Sequence, residues 1–315
     1  MFSGIFAGIT WALETVILGI ALSMSPFVST KQAIFLAPFV GTFLHDFFSA
    51  TYMLIYNAAK GNLGDLFKVT KKKDFKWMVL ASAIGGPIGM TGYVLAVNYM
   101  GASVGAVASA VYPAIGTVLA YIFLKEKVKW YQWIFLLFTL FGVYGLSYSP
   151  SLSVENFWLG LIGALMCAFG WGIEAVILAK CLKDPDIKNE YALAVRQSTS
   201  ALIYGLMIIP LLGGWKFTAE LITGNTGWLL PTVGLAAFFA TVSYLFYYKT
   251  ISGVGAAKAM ALNITYTAWA MGFSVILLKD LSVLNPMTLG CAFVVVVCGI
   301  FAATDLKILF SKNVM

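Results

Sequence analysis

The sequence predicts an all-α integral membrane protein, with ten transmembrane helices arranged as two inverted five-helix repeats. Three observations predict this fold class. The 315-residue chain is 61% hydrophobic and 10% charged, its apolar residues form ten runs long enough to cross a bilayer, and stretches of its first half recur in its second half. A soluble domain is roughly half apolar and about a quarter charged. This chain therefore has too few charges to cover a water-exposed surface.

Each apolar run reaches the length of about 20 residues that a helix needs to cross the hydrocarbon core. The ten predicted spans are residues 3–24, 31–58, 76–99, 102–124, 130–149, 156–181, 190–213, 227–249, 257–278 and 285–309. The first run has no basic stretch before it and carries Glu14 in its middle. We therefore predict a retained span there and not a cleaved signal peptide.

The basic residues predict how the spans are oriented. Lys31, Lys216 and Lys279 lie in loops on one side of the membrane, and Arg196 lies inside a span. Every other basic residue lies on the side of the N-terminus. Because cytoplasmic loops carry the excess of Lys and Arg, this bias predicts that both termini are cytoplasmic. The net charge of +7 is then explained by topology, and we predict no nucleic-acid partner.

An internal repeat relates the two halves of the chain. The stretch WALETVIL from Trp11 and the stretch WGIEAVIL from Trp171 share Trp, Glu, Val, Ile and Leu. The stretch GASVGAVASAVYPA from Gly101 and the stretch GAAKAMALNITYTA from Gly255 share Gly, Ala, Tyr and a second Ala. We predict one repeat in residues 1–150 and the other in residues 151–315. An odd number of spans inverts the second repeat, which supports alternating access to a site near the membrane midplane; a duplicated bundle that is merely stable is the alternative.

Few ionisable side chains lie inside the predicted spans, and each costs on the order of 3 kcal/mol or more. They are Glu14, His45, Asp46, Glu174 and Arg196. Glu174 and Arg196 have similar depths on consecutive spans, which predicts either a fixed ion pair or a pair that opens for substrate or a proton. His45 and Asp46 predict a polar contact between helices or part of a proton relay. Gln197, beside Arg196, falls opposite Asp46 in the repeat.

Aromatic residues accompany both glutamates. Trp11 precedes Glu14 by three residues, and Trp171 precedes Glu174 by three. Each indole therefore shares a helix face with a carboxylate. Such faces, turned toward a shared axis, would form a cavity of negative charge with aromatic walls. This cavity suits an organic cation such as a quaternary ammonium group, which ring faces hold at about 1–2 kcal/mol each when desolvated.

Further residues extend this candidate site along the second half. Tyr112 and Tyr266 occupy equivalent positions in the two repeats, and Asn263, Tyr266 and Trp269 are predicted along one side of the ninth span. The alternative for each ring is packing or lipid contact. The predicted substrate-binding residues are Trp11, Glu14, Tyr112, Trp171, Glu174, Tyr244, Tyr247, Asn263, Tyr266 and Trp269.

The sequence offers no group of residues from which a catalytic or metal centre could be assembled. The chain has one His and no HExxH motif, its four cysteines form no CxxC pair, and no Gly-flanked Ser accompanies a base. We therefore predict a transporter and not an enzyme, with no cofactor and no metal. A receptor or scaffold that moves no substrate is the alternative from another class.

The order of motifs resembles a known family. Two five-span halves, with GAS from residue 101, YPA from residue 112 and LKE from residue 124, are similar to the drug/metabolite transporter superfamily in its EamA-like, ten-span form. Within that superfamily the chain resembles the LicB-type choline importers of bacteria. The segments that carry this resemblance are GPIGM at 86–90, SAVYPAI at 109–115, CAFGWGIE at 167–174, RQSTS at 196–200, YLFYY at 244–248 and LNITYTAW at 262–269.

The resemblance implies import of choline, or a related quaternary ammonium compound, through the bacterial cytoplasmic (inner) membrane. It implies that protons or the membrane potential drive this import. Glu14 stands outside the matching segments and marks either a different substrate range or an extra proton site. The main alternative is an exporter of amino acids or other small metabolites, which the same superfamily contains. Its zwitterionic substrate would need a cationic group at the midplane, and Arg196 is the only cationic residue predicted there.

Overall fold

The computed structural model describes residues 1–100, 110–148, 156–279 and 281–305. The described chain is helical almost throughout, and nine of its helices are long and apolar enough to cross a membrane. A shorter apolar helix supplies the described part of the fourth span. From the first span to the tenth, the helices are Phe2–Leu22, Lys31–Ala59, Phe75–Met100, Tyr112–Phe123, Trp130–Ser147, Phe157–Cys181, Asn189–Leu211, Leu229–Val254, Ala256–Leu278 and Pro286–Ala303.

The predicted fold class is therefore confirmed. Apart from the start of the fourth span, the helix ends lie within about six residues of the predicted ones, because the length of each apolar run follows the thickness of the hydrocarbon core. The small-residue start of the predicted fourth span, residues 102–109, lies outside the described residues. So does the predicted boundary between the repeats, at residues 150 and 151.

Two short helices lie in the two longer connections, at equivalent places in the two halves. Leu63–Val69 follows the second span and Trp215–Thr223 follows the seventh. Each buries a leucine, Leu66 in one and Leu221 in the other. Both leucines pack into the hydrophobic core of the protein.

The helices pack in pairs that relate one half to the other. The first span packs on the eighth, and its counterpart, the sixth, packs on the third. The first span also contacts the ninth, as the sixth contacts the fourth. The second packs on the seventh and the fifth on the tenth. Exchanging each span for its counterpart leaves these pairings unchanged.

Glycines allow the third and sixth spans to approach closely. A Cβ atom on Gly163 would lie 2.6 Å from the carbonyl oxygen of Gly92, and a Cβ on Gly92 would lie 2.6 Å from that of Gly163. Helix association in lipid depends on such close packing, because the surrounding hydrocarbon is as apolar as the helices themselves.

Replacing Gly163 with valine should therefore destabilise the bundle. Overpacking costs about 1–3 kcal/mol, which corresponds to a fall in Tm of about 2–5 °C for a chain of this length. Thermal unfolding of the purified protein in detergent measures the effect. Gly290→Val in the tenth span is the matched control, because a Cβ at Gly290 has no atom within 4 Å. Equal melting temperatures for the two variants would show that the contact between Gly92 and Gly163 does not limit stability.

Among the described residues, three spans contain a π-helical turn: the third at Ile84–Ile88, the seventh at Tyr204–Ile208 and the ninth at Ser274–Leu278. The turn in the third span contains Pro87, which has no backbone N–H and cannot continue the hydrogen-bond ladder. The glycines beside this proline accommodate the wide turn. It places the bare backbone of Gly85 and Gly86 against the sixth and seventh spans.

Candidate functional site

A narrow cavity of about 40 Å³ lies between the first, fourth, sixth, eighth and ninth spans. This volume is well below the roughly 300–1,000 Å³ of sites for drug-sized ligands, so the walls lie close together around it. Spans of both halves contribute to it, and its wall is largely aromatic. The lining residues are Trp11, Tyr112, Trp171, Glu174, Ala175, Leu178, Ser243, Tyr244, Tyr247, Tyr248, Asn263 and Tyr266.

The rings of the cavity are fixed by edge-to-face contacts. The ring centroids of Trp11 and Tyr244 are 4.9 Å apart with an interplanar angle of 89°. Those of Tyr112 and Trp171 are 5.5 Å apart at 87°. Aromatic pairs prefer this geometry because the positive edge of one ring meets the negative face of another. The result is a wall of rings that present negative faces in several directions.

Trp171 is positioned by the π-helical turn of the third span. Its indole Nε1–H donates a hydrogen bond of 3.1 Å to the carbonyl oxygen of Gly85, and its ring stacks on Tyr93 at 6.1 Å between centroids. A Cβ atom on Gly89 would lie 3.0 Å from the indole. Three features of one helix therefore set the orientation of this ring.

The two equivalent tyrosines have different partners. Tyr112 accepts a 3.0 Å hydrogen bond from the side-chain amide of Asn263, so the fourth and ninth spans are joined at the cavity wall. Tyr266 faces Trp11 edge-on at 6.4 Å. The side-chain oxygen of Asn263 is buried and has no hydrogen-bond partner among the described residues. This oxygen is therefore available to a polar group in the cavity, such as a hydroxyl.

Glu174 forms a buried ion pair with Arg196. The guanidinium Nε–H donates a 3.1 Å hydrogen bond to Oε1 of Glu174, and the two side chains are 8% and 3% exposed. The guanidinium also lies 4.7 Å from the ring centroid of Tyr244, where it interacts with the ring face. Its Nη1 donates a 2.7 Å hydrogen bond to the side-chain oxygen of Gln197. Glu174 thus contacts the cavity with one side and Arg196 with the other.

The ionic contacts continue from Arg196 into the first half. Nη1 of Arg196 is 3.6 Å from Oδ2 of Asp46, whose Oδ1 is 3.0 Å from Nδ1 of His45. Nε2 of His45 in turn is 3.5 Å from Oε1 of Glu14. All five side chains are at most 8% exposed. They form a continuous chain from Glu174 to Glu14, the two glutamates that the repeat relates, and we call this chain the charge network.

The structure brings together most of the predicted substrate-binding residues, but two stand apart from the cavity wall. Glu14 faces His45, and its Oε2 accepts a hydrogen bond from Thr15 at 3.2 Å. Trp269 is not among the lining residues, because a helix turns about 100° per residue and a residue six positions after Asn263 points to another side. The ninth span is also interrupted between Asn263 and Tyr266, where two helical segments meet.

Sequence reasoning missed four residues of the wall: Ala175, Leu178, Ser243 and Tyr248. Tyr248 could have been found from the cluster that it forms with Tyr244 and Tyr247. The hydroxyl of Ser243 donates a 2.8 Å hydrogen bond to the carbonyl oxygen of Ala7. The sequence gives no signal for Ala175 or Leu178, whose small and apolar side chains resemble those of any membrane helix.

Comparison with known proteins identifies the kind of protein. Residues 1–148 match the EamA-like transporter family. The protein is a membrane transporter. This match confirms the resemblance to EamA-like transporters that the sequence motifs indicated. The transporter is 28% identical to Protein LicB of Haemophilus influenzae over 287 residues, which cover 91% of each chain. It is 25% identical to an uncharacterized transporter of Clostridium kluyveri, over 73% of this chain and 74% of that protein.

A solved crystal structure supports the fold of the transporter. It aligns with 99% of this chain and 98% of its own length, with a TM-score of 0.72 and 15% sequence identity. At that identity the likeness concerns the fold alone. The family match and the helices together make the transporter a multi-pass membrane protein whose helices suit a lipid bilayer.

Proposed function

We propose that this transporter imports choline, or a related quaternary ammonium compound, by alternating access. One observation carries the proposal: the cavity is walled by edge-to-face rings, and the carboxyl group of Glu174 lines it as well. A quaternary ammonium group has no N–H to donate, so ring faces and a nearby negative charge are the contacts that can hold it. The free side-chain oxygen of Asn263 can accept a hydrogen bond from the choline hydroxyl.

The membrane potential favours entry of such a cation. An inside-negative potential contributes about 2.3 kcal/mol per elementary charge per 100 mV. We propose that this potential, with or without protons moving in the same direction, drives import. The relative named Protein LicB, which aligns over 91% of this chain, supports the likeness to LicB-type importers on which the choice of substrate partly rests.

The proposal includes a location and a topology. We propose that the transporter lies in the bacterial cytoplasmic (inner) membrane with both termini in the cytoplasm, as the distribution of Lys and Arg predicts. We also propose residues 1–150 and 151–315 as the two inverted repeats. The exchange symmetry of the helix pairings supports this division, and inverted repeats of this kind permit rocking around a site at their interface.

Export of amino acids, the alternative, is less well supported by the cavity. A zwitterion would need a cationic group for its carboxylate, and Arg196 is not among the lining residues. Its guanidinium is instead held by Glu174, Asp46 and Gln197. To bind a substrate carboxylate, Arg196 would have to leave at least one of these oxygens.

Uptake of radiolabelled choline into proteoliposomes tests the proposal. Under an inside-negative potential we expect saturable uptake that unlabelled choline and acetylcholine inhibit, with betaine and carnitine as additional competitors. Counterflow of amino acids is measured in the same proteoliposomes as a test of the alternative. Absence of choline flux together with amino-acid counterflow would overturn the substrate assignment and favour the exporter.

Trp171 is expected to contribute through its ring face more than through its N–H group. Trp171→Ala should weaken choline binding by about tenfold or more, because a ring face contributes on the order of 1–2 kcal/mol to a desolvated cation. Trp171→Phe retains an aromatic face and loses the hydrogen bond to Gly85, so its affinity should lie between those of the wild type and the alanine variant. Equilibrium binding of labelled choline to purified protein measures both. Equal losses in the two variants would show that the hydrogen bond dominates.

A further inference from the structure

The charge network contains more negative than positive groups. Its members are the buried charged residues among those that the structure describes: Glu14, His45, Asp46, Glu174 and Arg196. Arg196 is charged at any physiological pH, and its contacts with Glu174 and Asp46 favour the ionised form of both carboxyl groups. With Glu14 ionised and His45 neutral, the network carries a net charge of −2.

A single organic cation in the cavity cannot balance this charge. The cation beside Glu174 would reduce the net charge to −1, and the remaining negative charge would lie at the other end of the network, at Glu14. An uncompensated charge away from water is costly, and buried ionisable groups change their protonation state before they accept such a cost. One further positive charge makes the loaded charge network neutral.

The geometry around His45 provides a position for that charge. Its Nδ1 is 3.0 Å from Oδ1 of Asp46, which favours a proton on Nδ1 and leaves a lone pair on Nε2. Nε2 is buried, has no hydrogen-bond partner among the described residues, and lies 3.5 Å from the carboxylate of Glu14. A lone pair facing an anion is repulsive. A proton between the two groups converts this contact into a charge-assisted hydrogen bond.

Other titratable groups near the pair do not supply this charge. Asp46 and Arg196 already neutralise each other in part, and Glu174 faces the cavity. The phenols of Tyr93, Tyr244 and Tyr266 lie close enough to interact with Glu14. These phenols are uncharged near neutral pH, because the ordinary pKa of tyrosine is about 10.

We infer that Glu14 and His45 form a second binding site, for one proton, which must be filled before the cavity can close around the substrate cation. The inference rests on the proposed function and deepens it, since it states where the coupling ion binds. The proton binds from the same side as the substrate and forms an N–H···O contact between His45 and Glu14. It leaves to the cytoplasm when the inward-open cavity admits water. Each transported cation is therefore accompanied by one proton, and two positive charges cross the membrane.

The number of charges that accompany each choline tests this inference. Proteoliposomes with potassium as the only metal cation and a tenfold choline gradient are clamped with valinomycin at a series of potentials, without a pH gradient. Net choline flux should vanish at about 30 mV if two charges move with each choline and at about 59 mV if one moves. These are the potentials that balance a tenfold concentration ratio for a two-charge and a one-charge process. We expect about 30 mV for the wild-type protein.

Two variants assign the proton to its site. Glu14→Gln removes one negative charge, so the loaded network is neutral without a proton; its reversal potential should move to about 59 mV and become insensitive to a pH gradient. His45→Gln retains the carboxylate of Glu14, which can bind the proton alone, so its reversal potential should remain at about 30 mV while the pH profile of uptake shifts. Glu220→Gln is the control, because Glu220 is exposed and belongs neither to the cavity wall nor to the charge network.

The outcomes separate this inference from the proposed function. A wild-type reversal at about 59 mV with choline flux intact would overturn the proton site and leave the import of choline standing. A Glu14→Gln variant that still reverses at about 30 mV would remove Glu14 from the proton site. Absence of choline flux in the wild-type protein would overturn the proposed function and this inference with it. The wild-type measurement decides the matter even if one variant does not fold.

Discussion

Replacing Glu174 with glutamine is expected to weaken choline binding by about 100-fold, which is about 2.8 kcal/mol. Two unit charges about 4 Å apart attract each other by about 4 kcal/mol at an effective dielectric constant of about 20, the value that describes pairs near a protein surface. Part of this attraction is offset by Arg196, which shares the carboxylate. Glutamine keeps the shape of the side chain and an oxygen that can still accept the hydrogen bond from Arg196. The variant should therefore fold and be extracted like the wild-type protein.

Equilibrium binding of labelled choline to the purified protein measures the effect of Glu174→Gln. Glu220→Gln is the matched control, because it makes the same chemical change at an exposed position and should leave the Kd unchanged. Size-exclusion chromatography of both variants shows whether the fold is retained. A Kd for Glu174→Gln within about threefold of the wild-type value, or about 0.7 kcal/mol, would remove Glu174 from the choline site.

Replacing Gly85 with alanine is expected to abolish choline uptake, although the change adds only one methyl group. The new Cβ atom would lie 2.7 Å from the Cβ of Glu174 and would also meet its carboxylate. A rotation of the carboxylate cannot relieve a contact between two Cβ atoms, so the third and sixth spans must separate. Overpacking of this kind costs about 1–3 kcal/mol. The separation would also move the carbonyl oxygen that holds the indole of Trp171.

Uptake into proteoliposomes and the Tm in detergent together measure the effect of Gly85→Ala. Gly19→Ala is the control, because Gly19 lies within the first span and a Cβ there has no atom within 4 Å. That change should be neutral or slightly stabilising, by up to about 1 kcal/mol, since alanine favours a helix over glycine. Wild-type uptake by Gly85→Ala would mean that the close approach of the two spans is not needed for transport.

Much of the candidate site could be predicted from the sequence without knowledge of the tertiary structure. The recurrence of Trp and Glu in the first and sixth spans indicated Trp11, Trp171 and Glu174, and these residues do line the cavity. Glu14 was predicted on the same grounds but lies away from the cavity wall, against His45. The repeat indicates equivalent positions, yet two equivalent residues need not have the same neighbours.

The charge network could not be derived from sequence. The ionisable residues were recognisable because they interrupt apolar spans, but their order of contact was not. His45 joins Glu14 of one helix to Asp46 of its own helix, and Arg196 joins Asp46 to Glu174 across the two halves. Such contacts depend on how far each helix is rotated about its axis. In a membrane this rotation leaves little pattern in the sequence, because the faces toward lipid and toward the core are both apolar.

The sequence by itself determined the number of spans and their approximate ends, because both follow from the local length of apolar chain that a bilayer requires. It also determined which residues are chemically exceptional inside the membrane, since an ionisable side chain there is costly wherever it points. Only the tertiary structure decided that Trp269 stands apart from the cavity, that the carbonyl of Gly85 holds Trp171, and that the charges form one chain. These features arise from contacts between helices distant in sequence, whose rotation and separation are set by packing.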